Sequence, residues 1–67
     1  MDPTQEFENI RAGEIFYSHW GSRFVRMPEC VHAGFKVNTV CLESGALYWF
    51  DPCSLVTPEA QYERQRA

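Results

Sequence analysis

The stretch Lys36-Val37-Asn38-Thr39-Val40-Cys41-Leu42-Glu43-Ser44-Gly45-Ala46-Leu47-Tyr48-Trp49-Phe50-Asp51 decides the fold. Its first half carries Val37, Thr39 and Val40, side chains that suit a pleated surface. Ser44-Gly45 is a turn signal. The second half is a short apolar and aromatic run that ends at Asp51-Pro52. The two halves read as a hairpin of strands 36–43 and 46–51, the longest strand pair expected in the chain.

The same punctuation continues on both sides. Asp51-Pro52-Cys53-Ser54 has the residues of a type I turn, Asp at its first position and Pro at its second. Residues 55–57 form a last short strand. Upstream, residues 14–20 are aromatic and β-branched, Gly21-Ser22 turns the chain, and 23–27 is a second short strand closed by Pro28. Residues 28–35 read as a loop. The chain is thus expected to be mainly β, with five strands between residues 14 and 57.

The ends carry helix grammar. Asp2 suits an N-cap, Pro3 the first helical position, and Glu6 the positive end of the helix dipole. Phe7 and Ile10 would share a face, and Gly13 would follow the helix end. Residues 1–13 are read as a helix or an irregular arm. Thr57, Pro58 and Glu59 repeat the opening grammar. Residues 58–67 are a weakly docked helix or a frayed tail, because only Ala60, Tyr62 and Ala67 are apolar there.

At 67 residues the chain is expected to be a single domain with a thin stability margin. Aromatic residues make up 15% of it, more than so small a core can hide, so some must line a surface patch. The formal net charge of −3 argues against general binding of phosphate backbones. No apolar run reaches membrane-spanning length. The three cysteines have irregular spacing and no segment reads as a signal peptide, which predicts reduced thiols and a cytoplasmic protein.

Two hairpins, a tight turn and a fifth short strand resemble the SH3-like small barrel. The resemblance is strongest at Tyr48-Trp49-Phe50-Asp51-Pro52-Cys53-Ser54-Leu55-Val56. It implies a five-stranded SH3-like small barrel, here with short terminal helices. The chain lacks the acidic loop and the paired tyrosines of SH3 peptide-binding domains, so their proline-rich ligand does not carry over. The layout Gly13-Glu14-Ile15-Phe16, Arg23-Phe24-Val25-Arg26 and Ser44-Gly45-Ala46-Leu47-Tyr48-Trp49-Phe50 is also similar to small phage-encoded proteins.

Four residues could supply zinc ligands: Cys30, His32, Cys41 and Cys53. No Cys-x-x-Cys is present and Cys41 falls inside a strand, so no metal and no cofactor is expected. A cysteine nucleophile would need His19 or His32 beside it in a pocket, and no motif frames one. An enzyme is therefore not expected.

Strand alternation assigns Val25 and Met27 to the core and turns Phe24 and Arg26 outward. In the second hairpin Phe50 is expected inside opposite Val40 and Leu42, with Trp49 on the other face. The expected contact face is Trp20, Arg23, Phe24, Arg26, Tyr48 and Trp49, aromatic and arginine side chains of the kind that dominate interfaces. The acidic Asp2, Glu6 and Glu8 read as a solvated face. The leading expectation is a non-catalytic protein-binding module, a small regulator or inhibitor of a larger macromolecule. The alternative is a single-stranded nucleic-acid binder that uses Trp20, Phe24, Arg23, Arg26 and Lys36 as a stacking platform. Neither requires a membrane, and both are compatible with self-association.

Overall fold

Short aromatic and β-branched runs between tight turns build six antiparallel strands. The computed structural model describes residues 4–66. They comprise β1 (Gln5–Glu6), a 3₁₀ turn (Phe7–Asn9), β2 (Ile15–Tyr17), β3 (Arg23–His32), β4 (Phe35–Cys41), β5 (Leu47–Tyr48), β6 (Leu55–Pro58) and α1 (Glu59–Arg66). The sheet order is β1-β6-β2-β3-β4-β5. β1 and β5 are its two edges and do not pair, so the sheet is open and six-stranded, where a closed five-stranded barrel was expected. Among the described residues, no helix is long and apolar enough to cross a membrane.

The core draws one or two side chains from almost every segment: Phe7, Ile10, Phe16, Phe24, Cys41, Phe50 and Val56. Four phenylalanine rings form its centre. Phe16 stacks on Phe24 with ring centroids 5.7 Å apart, and Phe7 on Phe50 at 5.5 Å. Edge contacts tie the two stacks together, Phe16 to Phe50 at 5.3 Å and Phe24 to Phe50 at 5.1 Å. Such pairs contribute about 0.5–1.5 kcal/mol each beyond their buried area.

The register corrects the facing of β3. Phe16 pairs with Phe24, and Phe24 with Cys41. Directly opposite residues share a face of the sheet, so Phe24 points into the core, only 1% exposed. Arg26 follows it on that face, opposite the buried Thr39. Val25 lies on the other face, in a row with Ile15, Val40 and Leu47. This row is half-buried, so both phases of the alternation are apolar and the larger ring takes the inside. Val40 is accordingly not a core residue, and Leu42, expected opposite Phe50, is 42% exposed. Phe50 is buried and Trp49 exposed, as their alternation suggested.

β3 also does not stop at Pro28. It continues to His32, with an irregularity between Arg26 and Cys30 that accommodates a residue with no N–H to give the ladder. The chain then reverses through Ala33 and Gly34, both at positive φ, 53° and 85°, the backbone of a two-residue hairpin turn. The expected loop is therefore a β-ribbon, and β3–β4 is the longest strand pair. Its outer part, residues 28–36, is exposed throughout. β5 shrinks to Leu47–Tyr48, paired only with Val40 and Thr39.

At the start, backbone pairing replaces the expected helix. The Phe7 amide donates to the Ser54 carbonyl at 2.7 Å and the Glu8 amide to the Pro52 carbonyl at 3.1 Å. Phe7 and Ile10 are both buried, as their spacing suggested. The capping positions Asp2 and Pro3 lie outside the described residues. At the other end the helix is present and docked, and Thr57 and Pro58 belong to β6 rather than to its cap. Tyr62 stacks on Tyr17 with centroids 3.7 Å apart, and Glu59 pairs with Arg23 at 2.7 Å.

Candidate functional site: an aromatic groove at the open end of the sheet

The tight turn between β2 and β3 presents the first wall. The Ser22 amide donates to Ser18 Oγ at 3.2 Å and the Gly21 amide to the Ser18 carbonyl at 3.0 Å. Gly21 supplies the positive φ of 90° that closes it. His19 and Trp20 are thereby held outward, edge to face at 4.9 Å. The second wall is the segment leaving β5. Thr39 pairs with Tyr48, so Tyr48 stands at the rim of the core face, its ring edge-on to Phe24 at 5.4 Å.

The floor is the core itself. Trp20 lies parallel over Phe50 at 6.2 Å and edge-on to Phe24 at 5.8 Å. Asn38 locks the Phe50 backbone from below. Its Nδ2 donates to the Phe50 carbonyl at 2.9 Å, and its Oδ1 accepts the Phe50 amide at 3.0 Å. The Asp51–Ser54 turn closes the far side, with the Ser54 amide donating to the Asp51 carbonyl at 3.0 Å, as its sequence required. Trp49 Nε1 donates to Asp51 Oδ1 at 3.1 Å, which fixes the indole. Leu55 completes the rim. The groove encloses about 590 Å³ and its aromatic walls rest on buried rings, so little side-chain freedom is left to lose on binding.

Of the six expected contact residues, the structure brings Trp20, Tyr48 and Trp49 together here. The other three serve elsewhere. Phe24 lies beneath the groove, inside the core. Arg23 is bound through Nε and Nη2 to Glu59 Oε2, at 3.2 and 2.7 Å, and that hydrogen bond raises its pKa further above the ordinary value. Arg26 turns toward the N-terminal segment. Its Nη1 donates to the carbonyls of Phe7 at 3.0 Å, Glu8 at 3.3 Å and Ile10. Its guanidinium also lies 4.5 Å from the Phe7 ring centroid. Lys36 sits on the ribbon, 3.7 Å from Glu29. The outward face that alternation gave to Phe24 and Arg26 is thus corrected.

Sequence reasoning missed Leu55 and Asp51 as groove residues. Val56 is buried, so period-2 alternation alone turns Leu55 outward. Asp51 was read only for its turn. The exposed ribbon with Val31 and Phe35 is not legible in the sequence, because Pro28 signals the end of a strand.

The potential zinc ligands are not brought together: among the described residues no three His, Cys, Asp or Glu side chains are placed to hold a metal. Cys30 and Cys53 are exposed and Cys41 is buried. Hydrogen bonds from Ser44, side chain first and then backbone, lower the Cys41 pKa. Access rather than thiolate character should decide reactivity here. A bulky maleimide is expected to label two thiols of the folded protein quickly and Cys41 only on unfolding. Fragment-ion mass spectrometry, which separates Cys41 from Cys53 within the tryptic peptide 37–64, checks this, and rapid native labelling of Cys41 would show that the core opens there.

Comparison with family models, curated proteins and solved structures finds no match for this chain.

Proposed function

We propose that the chain is a non-catalytic protein-binding module, a small regulator or inhibitor of a larger macromolecule, built on an SH3-like sheet. The groove bounded by Trp20, Tyr48, Trp49 and Leu55 is its contact face. One observation carries this: exposed aromatic side chains converge on a single concave surface and are held there by buried rings. A tryptophan 56% exposed on a chain this small is an anchor for a partner. The nucleic-acid alternative needs cations beside the aromatics. Arg23 is engaged by Glu59, Arg26 by backbone carbonyls, and the groove is lined by the acidic residue Asp51.

The test is capture from the native host's lysate with wild-type, Trp20→Ala and Leu55→Ala proteins, with and without nuclease. Each substitution is expected to weaken capture about tenfold or more while the domain stays folded. A partner retained by both variants would place the contact face elsewhere. A partner lost on nuclease treatment would make the ligand nucleic acid.

A further inference from the structure

Resting on the reading of the groove bounded by Trp20 and Leu55 as the contact face, we infer that its partner is a basic protein segment, one of whose cationic side chains, a guanidinium or an ammonium, enters the groove. The lining supplies both parts of a cation site. Trp20 and Trp49 are 56% and 40% exposed, so both indoles keep accessible π-surface, and indole is the ring that attracts cations best. Trp49 Nε1 donates to Asp51 Oδ1 at 3.1 Å, which sets the Asp51 carboxyl group against the edge of that indole. Its other oxygen, Oδ2, accepts no hydrogen bond among the described residues. A cation seated over the indole, within about 6 Å of its centroid, stands beside that open acceptor.

The charge around the groove has one sign. Glu6 pairs with Leu55 across β1 and β6, and directly opposite residues share a face, so a second acidic side chain, itself exposed, stands beside the Leu55 rim. Among the described residues no lysine or arginine lines the groove. Arg23 is held by Glu59, Arg26 by the carbonyls of the N-terminal segment, and Lys36 stands beside Glu29 on the ribbon. The whole chain carries nine acidic against six basic residues, so its field attracts a positive partner and repels an acidic one. A purely apolar partner would use the rings alone and would desolvate Asp51 without compensation. A lysine or arginine uses both features, its apolar stem along the rings and its charge at the carboxyl groups.

Titration of the full chain with short capped glycine peptides, followed by NMR at the two indole N–H signals, tests this. One peptide carries arginine and one lysine, and their neutral counterparts carry citrulline and acetyl-lysine. At least one cationic peptide is expected to shift both signals with a dissociation constant of about a millimolar, and its neutral counterpart to bind about tenfold more weakly or worse. Asp51→Asn keeps an acceptor for Trp49 and a residue suited to the turn. It should melt with the wild type, yet weaken the cationic peptide about threefold to tenfold. Failure of both cationic peptides to bind overturns the inference, as does equal binding of charged and neutral peptides or indifference to Asp51→Asn. Lysate capture judges the groove separately. A partner lost with Trp20→Ala but fully retained with Asp51→Asn overturns the cationic inference and leaves the groove as contact face. A partner indifferent to Trp20→Ala overturns both.

Discussion

Phe24→Ala is expected to leave the protein largely unfolded at room temperature. Phe24 is fully enclosed, stacked on Phe16 and edge-on to Phe50, Tyr48 and Trp20. Removing a buried phenylalanine ring costs about 3–5 kcal/mol, from lost transfer free energy and the cavity left behind. A chain of 67 residues has a total stability of about 3–10 kcal/mol, so this single loss takes most of the margin. Phe24→Leu keeps much of the volume and is expected to remain folded with a lowered melting temperature. Urea denaturation followed by circular dichroism gives both numbers. A Phe24→Ala protein that melts with the wild type would mean that this ring lies on the surface and that β3 faces the other way.

The β class was legible because turn chemistry and β-branched runs agree locally, and residues 51–54 form the turn their composition specifies. The facing of β3 was not legible, for a physical reason. Phe24 and Arg26 lie on one face, Val25 and Met27 on the other. Val25 also finds apolar cover, in the half-buried row with Ile15, Val40 and Leu47. Period-2 alternation separates faces only when one of them is polar. The choice here was made by volume and by a partner distant in sequence, Phe16. In the N-terminal segment the arm, not the helix, is the alternative that the described residues adopt. Its capping grammar is sound, but Phe7 gains a place between Phe16 and Phe50, and its amide gains the Ser54 carbonyl. Tertiary burial overrode local propensity. Trp20, Tyr48 and Trp49 come together on one groove because they are surplus aromatics for which the core has no room. Arg23 and Arg26 read as free charges in the sequence, because their partners, Glu59 and the carbonyls of residues 7, 8 and 10, cannot be read from spacing.

Arg26 is accordingly expected to act as a clamp on the N-terminal segment. Three carbonyl oxygens converge on its Nη1, and its guanidinium lies over the ring of Phe7. Hydrogen bonds to a charged group contribute about 1.5–3 kcal/mol each when buried, and a partly desolvated cation–π contact about 1 kcal/mol. These terms overlap, because one nitrogen serves three acceptors and Arg26 is half-exposed. A net loss of about 2–4 kcal/mol is expected for Arg26→Ala. Arg26→Lys keeps the charge but not the planar fork, so it should recover only part. The damage should begin locally, since Phe7 is held both by Arg26 and by the Ser54 carbonyl. Amide exchange of residues 5–10 should accelerate well below the denaturant concentration that unfolds β3 and β4. A contact-face role predicts the reverse pattern, with normal melting and exchange but weakened partner capture. If Arg26→Ala shows that reverse pattern, the clamp is wrong and the N-terminal segment is held by Phe7 packing and its own backbone pairing.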